Sequence, residues 1–171
     1  MGRTPAGGFF IVMDLIQGCD LEEAIQNGPV DVTQAVQWII EISNAIDYAH
    51  QNDIIHCDLK PSNILCDHEN YAIVTDFGLA QSLQSEPSTF FGPAGTAGYM
   101  APKQIDSYWG KMGSHTDVYG LGAVLYALLV GSAPYFGVRI ADVLTEVVSE
   151  NNLLLRTKSI SQFLKQLVLS A

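Results

Sequence analysis

Two polar clusters hold the side chains with the most chemistry to offer. Residues 56–63 read H-C-D-L-K-P-S-N and residues 75–78 read T-D-F-G, each directly after an apolar, β-like run. In the first cluster Asp58, Lys60 and Asn63 stand in fixed order and offer a proton acceptor, a cation and an amide oxygen. In the second, Asp76 adds a hard oxygen ligand. An amide oxygen, one carboxylate and shared phosphate oxygens suit Mg²⁺, which is seldom held by an all-protein cage. The residue chemistry alone therefore points to metal-assisted phosphoryl transfer. Either cluster taken singly reads equally well as a capped turn.

The surrounding pattern predicts the elements that must position these groups. Residues 9–16, F-F-I-V-M-D-L-I, are β-branched and aromatic and predict a buried strand, broken at Gly18. Asp20 is placed to cap a short helix, L-E-E-A-I-Q, which stops at Asn27-Gly28-Pro29. Asp31 or Thr33 caps the next helix, whose apolar positions Val32, Ala35, Val36, Ile39, Ile42, Ile46 and Ala49 recur every three and four residues to about Asn52. Residues 64–66 and 71–74 flank D-H-E-N and predict a small hairpin between the two clusters. After Gly78 come some twenty residues rich in Ser, Gly, Pro and Thr, a length that usually marks a functional loop. A buried helix, a helix over 140–150 and another from Ile160 to the end complete the chain.

Composition narrows the function classes. The 171 residues are 48% hydrophobic and 15% charged, which is globular. Eighteen Asp and Glu against eight Lys and Arg leave a net charge of −10, which argues against nucleic acid and anionic membrane surfaces as partners. Residues 118–138 carry no charge, but the apolar run V-Y-G-L-G-A-V-L-Y-A-L-L-V lasts only thirteen residues before Gly131 and Pro134. A span needs about 20, so this reads as a core helix. Cys19, Cys57 and Cys66 form neither a disulfide framework nor a C-x-x-C pair, which fits a reducing cytoplasm.

Taken together, the two clusters resemble the catalytic loop and metal-binding turn of protein kinases. Their separation, eighteen residues from Asp58 to Asp76, is similar to the hairpin spacing of that family. Three further segments agree in order. G-T-A-G-Y-M-A-P (95–102) resembles the end of the activation segment, residues 117–131 resemble the central helix of the large lobe, and residues 10–18 resemble the last small-lobe strand and hinge. Lys60 within L-K-P-S-N points to the serine/threonine branch, and the overall style resembles the bacterial members.

The resemblance implies a mainly α (α+β) fold, a kinase-like C-terminal lobe with a small β-hairpin. Residues 1–8 would be a loop, 9–18 the strand and hinge, and 19–171 the large lobe. It implies a transfer of the ATP γ-phosphate to Ser or Thr hydroxyls of a protein substrate, with ATP and Mg²⁺ as cofactors. Asp58 would orient the hydroxyl and accept its proton, and Lys60 would neutralise the moving phosphoryl group. Asn63 and Asp76 would hold Mg²⁺, and Thr96 would hydrogen-bond the catalytic loop. Met13 matches the gatekeeper. Asp14 and Ile16 would meet adenine through their backbone, Leu65 would lie beneath it, and Asp20 would reach the ribose. Asp117 would tie down the catalytic loop.

The chain also departs from the family pattern. Its 171 residues hold no glycine-rich loop, no strand Lys for the phosphates and no helix Glu to pair with it, so the resemblance implies a domain without its small lobe, truncated also in its late helices. Each absent phosphate contact would cost on the order of 3 kcal/mol, so the chain by itself is expected to be weak or inactive. The hinge strand would keep an exposed apolar edge, which makes self-association plausible. Lys103 replaces the Glu that follows Ala-Pro, and Cys57 replaces the Arg before the catalytic Asp. Cys57 is a candidate redox-sensitive thiol, and Ser85, Ser88 and Thr89 are candidate modification sites. The alternative to a kinase is a non-catalytic, pseudokinase-like binding module. Lys103 and the absent small lobe favour the alternative; intact Asp58, Lys60, Asn63 and Asp76 favour the enzyme.

Overall fold

The longest helix shows how the sequence pattern becomes structure. In this computed structural model, which describes residues 2–5, 7–10, 12–26, 28–77, 81–82, 97–137 and 139–149, helix α2 spans Val32–Gln51. Asp31 is the residue that caps it, its Oδ1 accepting from the N–H groups of Thr33 (2.9 Å) and Gln34 (3.3 Å). Ala35, Ile42, Ile46 and Ala49 are buried as the periodicity predicts, whereas Val36 is exposed. Trp38 takes a place on the buried face instead, because its indole N–H reaches the carbonyl of Asn70 at 2.8 Å and ties α2 to the hairpin.

The element order is β1 (Gly2–Arg3), β2 (Phe9–Phe10), β3 (Gly18–Asp20), α1 (Leu21–Ile25), α2, β4 (Ile54–Ile55), a 3₁₀ turn (Pro61–Asn63), β5 (Ile64–Asp67), β6 (Ala72–Val74) and β7 (Gln81–Ser82). Then follow α3 (Pro102–Ile105), a second 3₁₀ turn (Ser107–Trp109), α4 (Ser114–Val130) and α5 (Ile140–Val147). Among the described residues all pairings are antiparallel: β1 with β2, β4 with β7, and β3-β5-β6 as a three-stranded sheet. The small hairpin predicted around D-H-E-N is β5–β6, in the register Ile64↔Val74. Asp20 caps α1 through its Oδ1 and the Glu23 N–H at 2.8 Å. The predicted helix over 140–150 is observed as Ile140–Val147, and the one expected from Ile160 lies outside the described residues.

Two expectations for the N-terminal segment need correction. Among the described residues of the predicted buried strand only Phe9–Phe10 is extended and paired, and Val12, Met13 and Leu15 are 78%, 72% and 88% exposed. Apolar pattern signals a strand, but burial needs a second layer, and among the described residues none covers 12–15. The segment expected as a plain loop instead folds back: Thr4 and Gly8 close a turn (Thr4 N–H to the Gly8 carbonyl, 2.8 Å) that sets Gly2–Arg3 against Phe9–Phe10.

The core lies between α1, α2, α4 and the three-stranded sheet, centred on Leu21, Ile42, Ile46, Ile64, Val124 and Leu128. Each such side chain contributes about 1.5–3 kcal/mol of transfer free energy. A smaller cluster of Ala97, Met100, Tyr135, Val143 and Val147 joins α5 to the segment before α3. Helix α4 is the uncharged run continued back to Ser114; it is core, and among the described residues no helix is long and apolar enough to cross a membrane. One close approach decides where β3 sits. A Cβ on Gly18 would lie 1.8 Å from the carbonyl oxygen of Cys66 on β5, so only glycine permits this strand spacing. Gly18→Ala is expected to lose about 2 kcal/mol, read as a lower urea midpoint. An unchanged midpoint would mean that β3 can move away from β5 at no cost.

Candidate active site

The residues of the first cluster are held by a buried carboxylate. Strand β4 delivers the chain to His56, and Asp117, on the first turn of α4 and 1% exposed, receives it. Its Oδ2 accepts from the His56 backbone N–H at 2.9 Å and its Oδ1 from that of Cys57 at 2.8 Å. The His50 ring Nε2 also lies 2.8 Å from Oδ2. Gly120, one turn further on, lets the loop press against α4, since a Cβ there would stand 2.9 Å from that of Leu59.

Cys57 lies in the left-handed region at φ 64°, as does Asp76 at φ 59°. Such positions cost on the order of 1–3 kcal/mol each and persist where the surroundings over-determine them. For Cys57 those surroundings are visible. Asp117 holds its N–H, and the Gln104 side-chain amide donates to its carbonyl at 2.6 Å. The same Gln104 accepts from the Ala101 N–H at 2.9 Å, so it joins the start of α3 to the loop.

His56 is fully buried and links the two clusters. Its Nε2 lies 2.9 Å from the Thr75 carbonyl, and its Nδ1 lies 3.2 Å from the Asp58 N–H. A carbonyl only accepts and a backbone N–H only donates, so the network assigns the neutral ring protonated on Nε2. The Phe77 ring packs against it at 4.6 Å between centroids.

Asp58, Lys60 and Asn63 are in direct contact. Lys60 Nζ lies 2.9 Å from Asp58 Oδ2. The Asn63 amide donates to Asp58 Oδ2 at 3.0 Å and to its carbonyl at 2.8 Å. Both partners are acceptors, which orients the amide and leaves its oxygen as the group with ligand chemistry. The Asn63 carbonyl accepts from the Thr75 N–H (2.9 Å) and hydroxyl (3.1 Å), so hairpin pairing puts Asp76 next along the chain from Asn63's partner. Asp76 is exposed. Among the described residues no three His, Cys, Asp or Glu side chains converge to hold a metal unaided. A small pocket adjoins Asp58, with Cys57, Tyr99, Met100 and Gln104 in its wall. Burial, and next the charge of Glu22, raise the Tyr99 hydroxyl well above its ordinary pKa. Partial burial, and then Asp20, push the Glu22 carboxyl up.

The remaining site candidates are placed unevenly. Asp20 and Leu65 are direct partners across β3 and β5, although one oxygen of Asp20 is occupied as a helix cap. Met13 and Asp14 face solvent and Ile16 is half-buried, all on the stretch leading into β3. Thr96 and the candidate modification sites Ser85, Ser88 and Thr89 lie outside the described residues. Two residues were not foreseen in these roles. His56 stood in the cluster, and its position between an apolar step and Cys57 signals a buried ring. Gln104 carries no signal in sequence, because its partner is 47 positions away.

The protein kinase domain family matches residues 5–170. Serine/threonine-protein kinase PrkC of Bacillus subtilis (strain 168) is 40% identical over 131 residues, covering 75% of this chain and 20% of the relative. Serine/threonine-protein kinase PknB of Mycobacterium leprae (strain TN) is 36% identical over 139 residues, covering 79% and 22%. Serine/threonine-protein kinase PknH of Mycobacterium bovis (strain ATCC BAA-935 / AF2122/97) is 37% identical over 131 residues, covering 75% and 22%. The chain thus spans about a fifth of the length of the curated relatives it matches. With its helices, its small antiparallel sheets and the ordered contact of Asp58, Lys60 and Asn63, the chain belongs to the protein kinase domain family.

Proposed function

We propose that this chain carries the large-lobe machinery of a serine/threonine protein kinase, which transfers the γ-phosphate of ATP to a Ser or Thr hydroxyl of a protein. The observation that carries this reading is the contact set around Asp58: a carboxylate bonded to Lys60 and Asn63 on a loop clamped by Asp117. Asp58 orients the substrate hydroxyl and takes its proton. Lys60 lies against that carboxylate and offers positive charge where the phosphoryl group moves. The Asn63 amide oxygen and the Asp76 carboxylate are a hard-oxygen pair that fits Mg²⁺ shared with phosphates. When bound, that ion supplies charge neutralisation on the nucleotide. Leu65 lies beneath the adenine, the free oxygen of Asp20 takes the ribose, and Met13, Asp14 and Ile16 form the hinge side. Thr96, outside the described residues, keeps the loop-bonding role that the family pattern gives it.

The charge of −10 supports a basic protein substrate, not nucleic acid, and a cytoplasmic setting agrees with the cysteine usage. The bare face of Val12, Met13 and Leu15 supports self-association and also a second reading, a non-catalytic module that docks a partner there. Calorimetry separates the two. Mg²⁺-dependent ATP binding is expected for the native chain and is expected to vanish in Asp76→Asn. Equal binding by the variant removes Asp76 from the metal site, and no nucleotide binding by the native chain favours the binding module.

A further inference from the structure

Two thiols that the proposed chemistry leaves unused face each other. Cys19 on β3 and Cys66 on β5 are direct partners in antiparallel register. Opposed residues place their side chains on one face of a sheet. Both pack against the principal core, Cys66 buried and Cys19 half-buried. Hydrogen bonding alternates along β5. Asp67 donates to the Tyr71 carbonyl and Asn63 accepts from Thr75, both toward β6, so Cys66 turns its backbone groups to β3. Partners of that kind have Cα atoms about 5.5 Å apart. A disulfide spans about 4.4–6.8 Å. Gly18 allows the close strand spacing at this point. Both sulfurs are free, with Cys66 Sγ 3.6 Å from the Asp67 carbonyl and 3.8 Å from Asn70 Oδ1.

We propose that Cys19 and Cys66 are a modification site that hydrogen peroxide converts to a disulfide, stapling β3 to β5. The Cys19 sulfur, the more accessible, attacks one peroxide oxygen. The O–O bond breaks, a sulfenic acid forms, and the departing hydroxide takes the thiol proton as water. The Cys66 sulfur then attacks the sulfenic sulfur, the S–O bond breaks, and a second water leaves with the Cys66 proton. Two thiols and one peroxide thus give one disulfide and two waters. Burial, then the nearby Cys19, push the Cys66 thiol up, which leaves the first attack on peroxide to Cys19. The bond closes a loop that contains α1, the whole of α2 and β4, and it lies one register step from the Asp20–Leu65 pair.

The test treats the reduced full chain with hydrogen peroxide, alkylates the remaining thiols and maps the peptides. A Cys19–Cys66 linked peptide is expected, two hydrogens lighter than its parts and released by dithiothreitol, with Cys57 alone alkylated. The thermal midpoint is expected to rise by more than about 5 °C on oxidation, because a long loop is closed. Cys57→Ser keeps both effects, and Cys19→Ser loses both. Over-oxidised Cys19 with alkylated Cys66, or pairing with Cys57, overturns the proposal. A linked peptide with no rise in midpoint also overturns it, since the strands would have opened to form the bond. None of these readouts depends on kinase activity.

Discussion

Asp117→Ala is expected to destabilise the fold by about 3–5 kcal/mol. The native carboxylate is buried and engages the backbone N–H groups of His56 and Cys57 and the ring of His50. Alanine leaves these groups without an acceptor in a place that water reaches poorly, and an unsatisfied buried donor costs about 1–3 kcal/mol. The strained Cys57 would then relax toward ordinary φ and take the following Asp58 with it. Asp117→Asn keeps one acceptor oxygen but turns an NH₂ toward a donor, so it should fall between native and alanine. Urea unfolding of the three chains measures this order. A loss below about 1 kcal/mol for alanine would show that the loop does not depend on α4.

If the proposed function holds, Asp58→Asn is expected to lower whatever phosphoryl transfer the native chain shows by about 10²–10⁴-fold, the usual scale of a lost general base. The change is close to isosteric, and the new amide oxygen can still accept from Lys60 and Asn63, so the fold and the metal pair should persist. Nucleotide affinity is therefore expected to stay within about twofold while the rate collapses, the signature of an interaction made in the transition state. Label transfer from ATP to a mixture of basic Ser/Thr peptides, run beside calorimetry, reads both quantities. A variant that transfers as fast as the native chain would strip Asp58 of its role as base. Loss of affinity together with rate would make it a nucleotide-site residue.

Local physics was legible in the sequence. Asp20 and Asp31 sit where first-turn N–H groups need acceptors, the three-four spacing from Ala35 to Ala49 defines α2, and the D-H-E-N turn between two short apolar runs defines the β5–β6 hairpin. The order of Asp58, Lys60, Asn63 and Asp76 pointed to the chemistry proposed for them, because their spacing along one loop and one hairpin already limits how far apart they can be. These determinants act within a few residues, so periodicity and capping encode them directly.

What tertiary structure decided lies in contacts between residues far apart in the chain. Burial of residues 9–16 depends on a covering layer, not on their own pattern, and so Val12, Met13 and Leu15 are exposed despite their character. Gln104 clasps the Cys57 carbonyl, Trp38 reaches Asn70, and Cys19 meets Cys66 only because β3 closes on β5 over Gly18. Asp117 could be matched to a family role, but the three groups it holds depend on how α4 packs under the loop. Such pairings are selected by packing and hydrogen-bond satisfaction across the whole core, for which a single sequence has no local signature.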